Sequence, residues 1–152
     1  VIGFGMIIFG IILYLSDRYG KKTRFNKDWT YKDAIIMGVW QAFALLPGTS
    51  RSGNTISGAM FLGFSRVSSV NLSLIMSIPT IFASSVLLFI DFLNTDFENS
   101  NYVILLQSAL LSFIAALGAL SILVKFVRTN SFMPFVIYRL ILGSLILYLA
   151  FS

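Results

Sequence analysis

Between Val67 and Ile90 the chain runs for 24 residues without a charge, and from Tyr102 to Val124 for another 23. Either run, as a helix, is long enough to cross a hydrocarbon core of about 30 Å. In that medium every backbone N–H and C=O must be paired inside the protein, which leaves only helices and closed barrels. No strand alternation is present, so these runs form helices. Val1–Ser16 and Pro134–Phe151 are shorter runs of the same kind. The 152 residues are 57% hydrophobic and only 11% charged, against roughly 25% charged in a soluble domain. The reading is an all-α, polytopic transmembrane protein, one domain over residues 1–152. Its first residues, "VIGFGMII", lie in mid-run with no basic n-region before them. The chain therefore reads as the continuation of an upstream segment. It has no cysteine and no histidine, which excludes thiol chemistry and the commonest general base.

Charge placement orders the remaining segments. Asp17–Asp33 carries six basic residues and three acids, and reads as a solvated loop. Asp91–Asn101 carries three acids and no base, and "KFVRTNSFM" is a short basic loop. Between them Ala34–Ser65 has two apolar arms, "AIIMGVWQAFALL" and "ISGAMFLGF", each too short to cross alone. If this segment dips and returns, nine of the eleven basic residues lie on one side and the acidic loop on the other. If it crosses, the basic residues split six against three. The positive-inside rule selects the first arrangement, a re-entrant helix–loop–helix over 34–65 entered from the cytoplasm. The net charge of +5 is then a matter of membrane orientation, and nucleic acid is not a partner.

The tip of that hairpin is "LLPGTSRSGNT". From Pro47 to Ser57, six of eleven residues are Ser, Thr or Asn. Pro47 ends the first arm, because the residue before a proline is pushed out of helical geometry. Gly48 and Gly53 permit positive φ, so successive N–H groups can turn toward one point and form a nest for an anion. The second arm begins near Asn54 or Thr55, and its N-terminus adds partial positive charge and free donors. Arg51 adds a planar fork matched to phosphate oxygens. Gly/Ser/Thr clusters also let membrane helices pack closely, which is the role read for Gly58 and Gly63. Close packing explains the small residues but not an arginine at membrane depth, which is costly and usually functional. The loop over 47–55 is therefore read as a phosphate cradle: Gly48, Thr49, Ser50, Arg51, Ser52, Gly53, Asn54 and Thr55. Gln41 reads as polar support on the first arm, and Trp29 and Trp40 as packing or interfacial residues. Arg139 lies a few residues into the last apolar run and reads as snorkelling back to the basic side.

The stretch "GVWQAFALLPGTSRSGNTISGAMFLGFSR" resembles the second signature region of the undecaprenyl-pyrophosphate phosphatases, the bacitracin-resistance protein family. That region reads G-x-x-Q-A-x-A-x-x-P-G-x-S-R-S-G-x-T, followed by G-x-S-R. "SLIMSIPTIF" and "FMPFVIYRLILG" fit as well, so the likeness covers nearly the whole chain. It implies a bacterial inner-membrane enzyme that hydrolyses undecaprenyl pyrophosphate to the monophosphate, recycling the carrier for peptidoglycan synthesis and giving bacitracin resistance. It implies two inverted repeats, each with a re-entrant helix pair, of which this chain is the C-terminal one. On this chain Arg51 becomes the pyrophosphate-binding arginine, with Ser50 and Thr55 its hydroxyl partners in catalysis. The implied partners are undecaprenyl pyrophosphate, the lipid bilayer, the N-terminal repeat of the same protein and a second copy in a homodimer.

The resemblance also implies a divalent metal, Mg or Ca, held by an acidic motif, and a histidine, both in the first repeat. This chain has neither motif. Its six acids (Asp17, Asp28, Asp33, Asp91, Asp96, Glu98) read as loop residues away from Arg51. Metal-assisted hydrolysis needs carboxylates near the phosphate, so the chain reads as the clamp half of a site, inactive alone. The nucleophile stays open between an oriented water and Ser50, which has no visible base. The alternative is a non-catalytic lipid-phosphate-binding or transporter half, since half-helix N-termini face anions in many transporters. A phosphohistidine mechanism is excluded by the absence of histidine.

Overall fold

A computed structural model describes residues 1–93 and 102–151. Six helices account for nearly all of it: α1 (Ile2–Tyr19), α2 (Tyr31–Ala42), α3 (Arg51–Phe61), α4 (Arg66–Leu93), α5 (Tyr102–Thr129) and α6 (Met133–Phe151). Four of them, α1, α4, α5 and α6, are long and apolar enough to span a bilayer. Among the described residues the extended structure is a single bridge between Arg24 and Phe64. The all-α, polytopic reading holds. Asp96 and Glu98 of the acidic loop lie outside the described residues.

Helix α3 sits at the centre. Its residues Asn54 to Met60 are all buried, so the helix is covered on every side. Ile56 and Met60 join Leu13, Val70, Val127, Phe132 and Val136 in one core. Ala59 packs with Met37, Phe64 and Leu72 in a second. Helices α1 and α6 run antiparallel with glycines at their contact. A Cβ on Gly3 would meet the Gly143 carbonyl at 2.9 Å, and one on Gly143 would meet the Gly3 carbonyl at 3.0 Å. Close backbone approach of this kind is how helices associate in lipid. The outer parts of α4 and α5 expose a continuous apolar surface, including Ile81, Phe82, Leu87, Leu106 and Leu110.

One buried acid organises the basic face. Asp17, read as a loop acid, stands in the last turn of α1, 7% exposed. Its Oδ1 accepts from Arg66 Nε at 2.6 Å and pairs with Lys22 at 3.1 Å, while Oδ2 accepts from the Phe132 N–H at 3.0 Å. The ends of α1, the start of α4 and the α5–α6 turn are therefore on the same face, with their cationic residues around them. Arg66 is correspondingly the first residue of α4 rather than a loop residue. Lys125 and Arg128 belong to the last turns of α5.

The α2–α3 hairpin begins and ends on that face. Thr30 caps α2 and forms a capping box with Asp33: Thr30 N–H donates to Asp33 Oδ2 at 2.9 Å, and Asp33 N–H donates to Thr30 Oγ1 at 3.3 Å. Arg24 grips Asp33 with both guanidinium ends, at 2.9 and 2.6 Å, and donates to the Leu62 carbonyl at 3.1 Å. It lies 4.3 Å over the Phe64 ring, which Trp29 also contacts. The entrance of α2 is thus tied to the exit of α3. Higher up, Trp40 stacks on Phe61 and covers Gly58, where a Cβ would come within 2.6 Å of its ring. Gly58 is the packing glycine expected. Gly63, at φ +90°, instead turns the chain after α3.

Candidate functional site

The tip lies deep. Gly5 touches the Pro47 carbonyl and Gly20 touches the Met60 carbonyl, so α1 and α3 run parallel. The 15 residues between those glycines, at 1.5 Å each, put the tip about 22 Å from the basic face. That is well inside a hydrocarbon core of about 30 Å.

The local backbone explains how the tip forms. Helix α2 stops at Ala42, a 3-10 turn covers Phe43–Leu45, and Leu46 is extended ahead of Pro47. Gly48 has φ +86°, and a Cβ there would stand 2.3 Å from the Ile2 carbonyl oxygen. Only glycine fits against α1. The second arm starts earlier than the sequence suggested, at Arg51 rather than near Asn54 or Thr55. Ser50 is its N-cap, with φ +65° and its Oγ accepting from Gly53 N–H at 3.3 Å. A non-glycine residue held at positive φ stores strain, as is common at functional loops. Gly53, expected to supply positive φ, is helical instead. Its lack of a side chain serves Arg139, whose Nη1 would lie 3.0 Å from a Cβ at this position.

The structure divides the expected site residues into two groups. Ser50 and Ser52 are exposed, and with Gly48 and Gly53 they line the polar end of a cavity of about 390 Å³. Arg139 also lines it, and its other walls are apolar, among them Leu13, Ile56, Leu123, Phe132 and Tyr138. Thr49, Asn54 and Thr55 are buried. Thr49 Oγ1 donates to the Leu46 carbonyl at 2.9 Å and fastens the turn. Thr55 Oγ1 is shared between the Arg51 and Ser52 carbonyls and Ser73 Oγ of α4. Its hydroxyl therefore faces the α3–α4 interface and not the cavity. Asn54 Oδ1 and Nδ2 and Gln41 Oε1 are buried without a hydrogen-bond partner among the described residues.

Two arginines flank the tip. Arg51 is half-buried on the α4 side, where Nη2 donates to the Ser77 carbonyl at 3.2 Å. Its remaining donors have no partner among the described residues. Arg139 does not snorkel. It is 8% exposed, and its Nη2 donates to the carbonyls of Gly48 at 2.8 Å and Thr49 at 2.7 Å. One signal for it was legible, a cation inside an apolar run. The contact itself joins positions 91 residues apart, which no local pattern reports.

The backbone completes the cradle. Thr49 N–H is used by Leu46 and Asn54 N–H by Ser50, and Gly53 N–H by the Ser50 hydroxyl. The N–H groups of Ser50, Arg51 and Ser52 have no acceptor among the described residues. Three such donors at a helix N-terminus near a guanidinium are an arrangement that can accept an anion. Asp17, Asp28 and Asp33 are engaged elsewhere. Asp17 and Asp33 are held as described, and Asp28 caps the Phe25 N–H at 2.7 Å. Among the described residues no three acids converge to hold a metal ion, so the tip residues present here do not fit a divalent cation, and no step is drawn through one.

Comparison with known proteins gives the chain's kinship. The family model described as "Bacitracin resistance protein BacA" matches residues 1–145. The undecaprenyl-diphosphatase of Dinoroseobacter shibae is 47% identical over 155 residues, covering all of this chain and 57% of that protein. Those of Ruegeria pomeroyi and Jannaschia sp. are 45% and 44% identical, again covering all of this chain and 57% of their own length. The chain thus spans a little over half of the curated relatives it matches. Four membrane-spanning helices in a chain of this kinship make a multi-pass protein of the bacterial inner membrane. By the family match and these identities, the chain belongs to the bacitracin resistance protein BacA family.

Proposed function

We propose that this chain supplies the pyrophosphate clamp of an undecaprenyl-diphosphatase. The reaction hydrolyses undecaprenyl pyrophosphate to undecaprenyl phosphate and inorganic phosphate, returning the carrier to peptidoglycan synthesis. The observation that carries this reading is the set of free N–H groups at Ser50, Arg51 and Ser52, about 22 Å inside the apolar helices and beside a guanidinium. A lipid-linked pyrophosphate would have to bring its anionic head down to these donors, and the cavity whose polar end Ser50 and Ser52 line offers it room.

In this reading the N–H groups hold the distal phosphate and Arg51 leaves the Ser77 carbonyl to bridge the two phosphates. Attack at the distal phosphorus breaks its bond to the bridging oxygen, and charge accumulates on the departing lipid phosphate. Fixed donors in a low-dielectric site stabilise that charge as it develops. Ser50 Oγ borders the cavity, but its neighbours offer no base, so water is the better nucleophile. Thr55 acts by fixing the first turn of α3 against α4. A divalent metal and the carboxylates that bind it belong, in this proposal, to the partner repeat, and supply the polarisation of phosphate and water that this chain lacks.

Arg51→Ala in the intact protein is the test. Phosphate release should fall by about 10²–10³-fold, the scale for losing one transition-state donor. Undiminished release would remove Arg51 from the clamp.

A further inference from the structure

We propose that Arg139 is a positioning residue of this clamp, acting on the loop backbone rather than on the anion. The inference rests on the proposed function above and assigns α6 a part in it. Both hydrogen bonds of its Nη2 go to loop carbonyls, those of Gly48 and Thr49. In a trans peptide the C=O and the following N–H point in opposite directions. Holding the Thr49 carbonyl against Arg139 therefore turns the Ser50 N–H the other way, away from α6. Holding the Gly48 carbonyl does the same for the Thr49 N–H, which is fixed on Leu46. Two carbonyl oxygens that would repel a phosphate are thereby neutralised and kept off the donor side of the loop.

Other features of the molecule are shaped around this contact. Gly10 of α1 faces the Arg139 stem, where a Cβ would make ordinary contact at 3.4 Å from Arg139 Cβ. Gly53 leaves room for Nη1 inside the first turn of α3. Gly48 needs its positive φ to present its carbonyl while packed on Ile2. No carboxylate pairs with Arg139 among the described residues, and its Nε is buried without an acceptor. A guanidinium serving only as packing would turn toward the basic face, which begins at the start of α6.

The test uses the intact protein that carries this chain, purified in detergent, with Arg139→Met, Arg139→Lys and Gly53→Val. Two quantities are read: kcat and KM for phosphate release from undecaprenyl pyrophosphate, and the upward shift in melting temperature produced by inorganic pyrophosphate. Arg139→Met keeps the apolar stem and removes the donors. Its kcat should fall by about 100-fold with KM little changed, because the isoprenoid tail dominates ground-state binding, and the pyrophosphate shift should vanish. Arg139→Lys should recover part of both. Gly53→Val leaves the charge but displaces it, and should reproduce the Met variant, which keeps the test decisive if the Met variant does not fold. Wild-type kcat and wild-type pyrophosphate shift in a folded Met or Val variant would overturn the proposal. So would a Met variant whose ligand-free melting temperature falls while its pyrophosphate shift and kcat persist. Absence of phosphate release by the wild-type protein would instead defeat the functional reading itself.

Discussion

At the scale of single residues, the tip depends on two backbone conformations that few side chains tolerate. Gly48 combines φ +86° with direct contact to the Ile2 carbonyl. Gly48→Ala meets both problems and should cost at least the roughly 1–3 kcal/mol of a strained backbone, read as a lower melting temperature and reduced folded yield. Ser50 at φ +65° was hidden in the sequence for a different reason. Thr49, Ser50, Ser52 and Asn54 are all good N-cap residues, so the string alone does not say which one starts the helix. The choice is made by tertiary contact, because the Gly48–Thr49 carbonyls are held by a residue 90 and 91 positions away. Arg139 was itself visible as a cation in a span, but its direction was not. A side chain near a helix end can snorkel or turn inward, and here the Gly48 and Thr49 carbonyls, with the room left at Gly53, settle which.

At the scale of elements, the α2–α3 hairpin was the most legible part of the fold. Two short arms, a proline–glycine break and lopsided basic loops pointed to a pair of short helices that begins and ends on the basic face, as α2 and α3 do. The latch that closes it was not legible, because Arg24 and Asp33 looked like two charges among nine in a solvated loop. The Arg24 guanidinium, with help from Thr30, holds the Asp33 carboxyl below its ordinary value. A depressed carboxylate contributes stability above its unfolded pKa of about 3.9 and loses it as pH falls through the lower folded value. Wild type and Asp33→Asn should thus differ in melting temperature at about pH 7 and converge as the pH falls below the unfolded value of about 3.9. A constant gap across that range would show that the pair does not close the hairpin. The arms themselves meet where Trp40 covers Gly58. Gly58→Leu overfills that contact and should destabilise by about 1–3 kcal/mol, measured by thermal unfolding in detergent.

At the scale of the whole molecule, α3 is buried by neighbours on every side while its first turn keeps free donors. The proposed clamp would be held from all sides in that arrangement. Asp17 gathers three helix ends on the basic face, a hub that an acid at the edge of an apolar run did not announce. Asp17, Asp28 and Asp33 are engaged in that framework, so the isolated 152-residue chain should release little or no phosphate from undecaprenyl pyrophosphate, with or without Mg. Release at the rate of the intact protein would place the whole chemistry in this half. The measurement that bears most directly on the central claim is a structure of the intact protein with a non-hydrolysable undecaprenyl pyrophosphate analogue. Phosphate oxygens should lie within about 2.7–3.2 Å of the Ser50, Arg51 and Ser52 N–H groups and of the Arg51 guanidinium. A pyrophosphate bound elsewhere, with those three N–H groups unengaged, would contradict it.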